Sequence, residues 1–361
     1  MLYEKPQLRA AMLHVKTTAE GGCATLDIPT NDIAQRALAG ERFSRDELLS
    51  IAAQAQQRGG WNLLYQGHLV RQANFGRGVR LCAIVPGKLG NCTEDCRWCA
   101  QSACSAPGVT EPKRTSLDEI CSAADEAAEL GATNIGIVNS GKKPAQRDID
   151  DVLAAANRVD QDENTQIELC ASLGEMSDNQ LAQLSASPIK RYHHNLETSR
   201  RFFPQMVTTH TYDEKLRTLR LARQAGLSIC SGGLFGLGET WEDRIDLALT
   251  LRDEVSPDVV PLNFLVPIPG TTLKNAKPLA PLEILRIIAM YRIIMPDIDL
   301  KVAGGRETNL GDMQSWIFFA GATSIMVGKY LTTAGQSAGR DMKMIKNMGL
   351  HVVEQFEPQK P

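Results

Sequence analysis

From Val79 to Gly328 the chain alternates short apolar, β-branched runs with stretches of helical periodicity. The strand candidates are VRLCAIV (79–85), NIGIVN (134–139), QIELCAS (166–172), IKRYHH (189–194), LSICSGG (227–233), DVVPLNF (258–264), DLKVAGG (299–305) and TSIMVG (323–328). Helices fit between them. One opens with Ser116 and Glu119 at capping-box spacing and closes on Gly131, with an apolar face of Leu117, Ile120, Cys121, Ala124 and Ala128. That pattern reads Cys121 as a core residue. Further helices fit 148–159, 175–184, 211–225, 240–253, 281–294 and 308–319. Eight strands separated by helices over roughly 250 residues predict an α/β chain folded as a (β/α)8 TIM-type barrel. A doubly wound open sheet is the alternative, because periodicity does not show closure.

Residues 1–78 read as an N-terminal helical extension. DIAQRALAG, SRDELLSIAAQAQQRG and WNLLYQGHLVRQAN have helical spacing, broken at Gly59–Gly60. The barrel is expected over 79–335 and a C-terminal tail over 336–361, frayed beyond Gly349. With 39 Lys+Arg against 42 Asp+Glu, the formal charge is −3, which removes a global electrostatic case for nucleic acid or an anionic membrane as partner. No apolar run reaches the ~18 residues of a membrane span. Charges interrupt the apolar residues of the N-terminus, so it reads as no signal peptide. The expectation is a soluble, cytoplasmic protein.

The nine cysteines are odd in number and follow no secretion signal, which argues against a disulfide framework. Four fall within GNCTEDCRWCAQSAC. Cys92-x3-Cys96-x2-Cys99 follows the first strand directly, on the loop leaving its C-terminal end, the active-site face of a barrel. Three thiolates this close can converge on a soft metal centre, either an iron–sulfur cluster or zinc. A closed zinc site wants a fourth ligand, and no second Cys pair follows, with His193 and His194 far along the chain. Three ligands on a four-iron cluster leave one iron open to a substrate.

Cys92, Cys96 and Cys99 match the CxxxCxxC motif of the radical AdoMet superfamily. From about residue 40 to 350 the chain resembles the biotin synthase family, through GNCTEDCRWCAQS, RYHHNLETS, TTHTYDEKLRTL, CSGGLFGLGET, VPLNFL, VAGGRET and AGATSIMVGKYLTTAGQ. The resemblance implies a [4Fe–4S] cluster on Cys92, Cys96 and Cys99 that chelates S-adenosyl-L-methionine. One-electron cleavage then gives a 5′-deoxyadenosyl radical, which takes hydrogen from dethiobiotin in two rounds while sulfur closes the thiophane ring. It also implies an auxiliary iron–sulfur cluster, [2Fe–2S] in the family, with Cys170, Cys230 and Arg306 at matching ligand positions. The family further implies a homodimer and an electron donor such as flavodoxin or ferredoxin.

The pattern departs at Gly136, where the family's third auxiliary-cluster cysteine belongs. Cys82, one strand over, is the expected replacement, since adjacent strands lie about 4.8 Å apart; Cys104 is a second candidate. Asn195 and Glu197 match positions that contact substrate and the AdoMet ribose, with Glu in place of the usual Asp. Asn263 matches the residue that bonds the ureido ring, where an amide offers donor and acceptor. Trp98 falls where the family has an aromatic near adenine. His193 replaces an Asn and Lys215 an Arg. The glycines of GLFGLGE and GGRET fit neither the dinucleotide fingerprint nor a phosphate loop, and are expected to allow close backbone approach to AdoMet and the clusters. Two other classes stay open: another radical AdoMet barrel of maturase or mutase type, and a non-catalytic zinc-binding barrel.

Overall fold

The computed structural model describes residues 32–106, 108–328 and 335–356. Strand β1 (Gly78–Leu89) pairs in parallel with β2 (Asn134–Asn139), which pairs with β3 (Glu168–Ser172) and then β4 (Ile189–His193). Strand β5 runs in two pieces, Ser228–Cys230 and Gly233–Phe235, between β4 and β6 (Val259–Phe264). Strands β7 (Asp299–Val302) and β8 (Ser324–Met326) follow, and β8 pairs back onto β1 with Cys82 opposite Met326. The parallel sheet closes on itself, so the fold is the (β/α)8 barrel and not the open sheet.

Local chemistry sets the helices that surround it. The helix Leu117–Glu129 starts at Ser116, whose hydroxyl accepts the Glu119 N–H while the Glu119 carboxylate accepts the Ser116 N–H. Its Ile120, Ala124 and Ala127 are buried, and Cys121 packs half-buried at the edge of the core. The helix expected over 308–319 is instead broken into Arg306–Leu310 and Trp316–Ala320, joined by a short tighter turn.

The N-terminal stretch supplies α1 (Ile33–Leu38), α2 (Arg45–Gln57) and α3 (Trp61–Phe75). Helix Pro281–Ile294 is buried along nearly its whole length because α3 covers it. A Cβ at Gly67 of α3 would meet the Ala320 carbonyl at 2.5 Å, so only glycine permits this approach. Arg71 and Arg292, both buried, donate to the carbonyls of Ala322, Gly76 and Gly78 and of Gly321, Met295 and Ile298. The Arg71 bonds tie the extension to the end of the barrel remote from the cysteine loop, and those of Arg292 fix the turn after its own helix.

Beyond Gly349 the chain is paired rather than frayed. His351–Val352 lies in parallel against Gly78–Val79, after a helix over Ala338–Asn347. The EPQKP tail lies outside the described residues.

Strand alternation sends every second residue into the lumen. At its floor Arg80 lies 3.6 Å from Asp299 and 3.9 Å from Glu168, which in turn stands 3.8 Å from Arg191. This polar layer lies one lumen-facing position below Cys82, Cys170, His193 and Lys301 on the same strands.

Candidate active site

Strand β1 ends at Leu89, and Gly90 and Asn91 both adopt left-handed backbone (φ 70° and 49°), a conformation glycine and asparagine tolerate best. The turn swings Cys92 back over the lumen. The loop that follows is clamped to segment 206–210. The Glu94 carboxylate is buried, 2.6 Å from His210 Nδ1, and accepts the Thr209 hydroxyl at 2.7 Å. Asp95 accepts the N–H groups of Thr208 and Thr209 and the Thr208 hydroxyl; burial opposes its charge, yet these bonds hold its pKa at about 2. Arg97 N–H reaches the Met206 carbonyl. The TTH segment of the sequence therefore fixes the cysteine loop.

Cys92, Cys96 and Cys99 line the mouth of a cavity of about 480 Å³ that runs down the lumen. The Cys99 sulfur accepts the Gln101 N–H at 3.4 Å. Burial pushes the Cys99 thiol up to about 11 and, with Cys99 beside it, raises that of Cys96 further. Protonated buried thiols are expected of ligands awaiting a metal that displaces their protons. Among the described residues no three Cys, His, Asp or Glu side chains stand close enough to share a single ion. Three thiols on a clamped loop fit a cluster whose irons are spread among its ligands, with one left for a further donor. Trp98 lies beside them in the cavity wall. Cys104 is exposed and does not line the cavity.

Below the mouth, Asn195, Glu197, Lys215 and Asn263 line the same cavity. The Asn195 Oδ1 accepts the Gly232 N–H, and its carbonyl accepts the Lys215 ammonium at 3.1 Å. Glu197 has φ 71°, costly for a residue with a Cβ by about 1–3 kcal/mol. Burial raises its carboxyl pKa. The Asn263 amide is held between the Gly233 carbonyl (3.2 Å) and the Gly304 N–H (2.9 Å).

Deeper again, three buried thiols share the cavity wall: Cys82 on β1, Cys170 on β3 and Cys230 on β5. Gly136 lines it on β2, in register with Cys170. Two further groups join them: Lys301, which the sequence motifs did not single out, and His193, which they marked only as standing in place of an Asn. Lys301, on β7, places its ammonium 3.2 Å from Cys82 Sγ and 3.8 Å from Cys230 Sγ. Burial opposes this charge, but the surrounding sulfurs raise the Lys301 pKa. His193 Nδ1 lies 3.1 Å from Cys230 Sγ, and burial with Lys301 nearby pushes its pKa down to about 4. Burial pushes the Cys170 thiol up to about 11. A lysine in the middle of an apolar parallel strand is a signal legible in DLKVAGG, because Asp299, Lys301 and Ala303 share one face.

Arg306, expected at these thiols, is not brought to them. Gly305 adopts φ 83° and turns the chain out of the lumen, so Arg306 begins a helix and is fully buried outside it. Its guanidinium grips Asp341 at 2.8 and 3.1 Å and donates to Gln314 and Glu307. Two glycines at the strand ends make close approaches within the protein, Gly305 of GGRET and Gly232 just before GLFGLGE. A Cβ at Gly232 would fall 1.9 Å from the Pro261 carbonyl, and one at Gly305 would fall 1.9 Å from the Phe264 carbonyl. Their close approach is to the neighbouring strand. In GLGE, the Glu239 carboxylate collects the Gly236 and Leu237 N–H groups and Arg244, which makes that run a structural turn.

The family model of the Radical SAM superfamily matches residues 89–251, and that of the Biotin and Thiamin Synthesis associated domain matches 261–351. Among curated proteins, the biotin synthase of Nitratidesulfovibrio vulgaris is 44% identical over 329 residues, 88% of this chain and 85% of that protein. The biotin synthase of Syntrophotalea carbinolica is 44% identical over 88% of this chain and 96% of its own. That of Heliobacterium modesticaldum is 46% identical over 77% and 85%. Among solved structures, a methylornithine synthase superposes with a TM-score of 0.75 at 18% identity, covering 89% of this chain and 97% of that one. A maturase of the [FeFe]-hydrogenase gives 0.78 at 15%, covering 90% and 76%; both likenesses are of fold alone. With the barrel closed, the CxxxCxxC loop clamped over its mouth and this identity spread along most of the chain, the protein belongs to the biotin synthase family of radical SAM enzymes.

Proposed function

We propose that the chain makes biotin from dethiobiotin by radical sulfur insertion, with two iron–sulfur clusters stacked along one lumen. The observation that carries this reading is the presence of two separate three-thiol sets on one cavity wall: Cys92, Cys96 and Cys99 at the mouth, and Cys82, Cys170 and Cys230 below. In this reading Cys82 takes the place of the cysteine that Gly136 lacks. When bound, S-adenosyl-L-methionine on the upper [4Fe–4S] cluster supplies a hydrogen-abstracting carbon radical, and the lower cluster supplies sulfur.

The chain's own side chains bind, orient and shield. Asn263, fixed by Gly233 and Gly304, keeps one N–H and one carbonyl lone pair for the donor and acceptor of a cyclic urea. Asn195 orients Glu197, whose carboxylate would accept ribose hydroxyls, and Trp98 would offer a flat apolar surface for adenine. Lys215 offers a cation near Cys96 for a carboxylate. Enclosure of the cavity by the barrel keeps water from a reactive radical. Among the described residues no helix is long and apolar enough to cross a membrane. The family reading adds a one-electron donor such as flavodoxin or ferredoxin, a homodimer and a cytoplasmic location.

The test is anaerobic reconstitution followed by incubation with S-adenosyl-L-methionine, a reductant and dethiobiotin, with 5′-deoxyadenosine and biotin read together by mass spectrometry. Both products are expected. Deoxyadenosine without biotin would overturn the sulfur-insertion reading, and colourless protein that takes up zinc in place of iron would overturn both clusters.

A further inference from the structure

Three thiols fall one short of what a two-iron cluster takes from its protein, two ligands on each iron. Arg306 does not supply the fourth, since it is committed to Asp341 outside the lumen. We infer that His193 supplies it, as a nitrogen ligand that shares an iron with Cys230. The inference rests on the lower-cluster reading above.

The geometry comes from strand register. His193 and Cys230 are paired residues on β4 and β5, and both side chains enter the lumen. Nδ1 and Sγ stand 3.1 Å apart. A thiolate and an imidazole on one tetrahedral metal, at bonds of about 2.3 and 2.0 Å, lie about 3.5 Å from each other. The pair therefore sits at ligand spacing with little movement required.

The chemistry of the neighbours favours the imidazole. Lys301 lies almost as near Cys230, but an ammonium has three donors and no lone pair. The Arg191 guanidinium likewise has donors only, and it is turned toward Ser228 and Glu168. Asn134 presents its amide nitrogen to Cys170 at 3.6 Å, as a donor. Lys301 and Arg191 then serve as counter-charges to thiolates, while His193 brings the lone pair. Imidazole in place of thiolate on one iron of a two-iron cluster is established iron–sulfur chemistry and raises the reduction potential.

The experiment is pulsed EPR on the full-length protein, grown with histidine carrying either 14N or 15N, reconstituted anaerobically and reduced without S-adenosyl-L-methionine. The expected result is a strong nitrogen coupling on the lower cluster's signal that changes with the histidine label and is lost in His193→Asn. The isotope comparison decides on the unaltered protein even if that variant does not fold. A lower-cluster signal with no histidine nitrogen, or with only the weak coupling of a hydrogen-bonded ring, would overturn the ligand and leave the cluster. About four irons per chain with a single signal would overturn the lower-cluster reading itself.

Discussion

The Lys301 ammonium stands 3.2 Å from the Cys82 sulfur across the floor of the cavity, although β7 and β1 are separated by β8. Lumen-facing positions of a small barrel converge on its axis, which is how a side chain two strands away becomes a partner. A cation there offsets thiolate charge in a site remote from water. Lys301→Met is accordingly expected to make the lower cluster harder to reduce. A unit charge at about 4 Å is worth about 4 kcal/mol at an effective dielectric near 20, so the midpoint should fall by on the order of 100 mV. A redox titration followed by EPR checks this, and an unchanged midpoint would remove Lys301 from the cluster's surroundings.

Arg306 leads to the opposite expectation. It and Asp341 form a buried pair, and removing one partner of such a pair costs about 3–5 kcal/mol because the other charge is left uncompensated. Arg306→Ala should lower the stability of the protein in urea by that amount while each folded chain keeps both clusters. Full stability with loss of iron would return Arg306 to the lower site.

The sequence made much of this legible, and the reasons are local. The eight strands were readable because fully buried parallel strands are short apolar runs bounded by turn residues, and helix Pro281–Ile294 matches its expected span at both ends. The cysteine loop was readable because its ligands are neighbours in the chain. Arg306 was misplaced because motif position says nothing about which way a chain leaves a strand, and that direction is set by Gly305 in the left-handed region. The Glu94–His210 contact joins residues 116 apart and had no pattern to announce it. Lys301 and His193 were visible as residues but not as partners, since their meeting depends on barrel closure.

Titration of the metal-free thiols gives a pH expectation. The folded-state pKa of Cys170 is raised by burial from an ordinary 9.0 to about 11. A raised pKa stabilises the folded state while the thiol is protonated in both states, and that contribution is lost as pH rises through the interval. The metal-free protein should therefore lose stability between about pH 9 and pH 11, read as a falling melting temperature. Alkylation of Cys170 at pH 8 should run about 100-fold slower than that of an ordinary cysteine, since only thiolate reacts. Rapid alkylation at that pH would contradict the burial-raised pKa.

The clamp between the cysteine loop and segment 206–210 should govern retention of the upper cluster. Glu94→Gln keeps the shape but replaces a charge-assisted hydrogen bond to His210 with a neutral one, a loss of about 1–2 kcal/mol. Iron release from the upper cluster to a chelator should then accelerate about ten-fold, and the KM for S-adenosyl-L-methionine should rise, with the lower cluster unaffected. Equal acceleration at both clusters would indicate general loosening of the barrel instead.

Cys82 and Gly136 test whether a ligand has moved from one strand to the next. Cys82 pairs with Asn134, two residues before Gly136, so the thiol on β1 enters the lumen one layer below the vacant position on β2. Cys82→Ala should reduce iron from about six to about four per chain and abolish biotin formation, while 5′-deoxyadenosine is still made from the upper cluster. Gly136 can take a side chain: its φ is not in the left-handed region, and a Cβ there would stand 3.6 Å from Ile84 and 3.9 Å from the Cys170 Cβ, both ordinary contacts. Gly136→Cys added to Cys82→Ala should thus restore the lower cluster, because the new thiol lies level with Cys170 and within a cluster's reach of it. Recovered iron and sulfide together with recovered biotin would show that the site needs a third thiol and tolerates it on either strand. Iron that returns without biotin would mean that the lower position of Cys82 is itself required to deliver sulfur. Full iron retention in Cys82→Ala alone would show that Cys82 is packing, and that the lower set is completed by another residue.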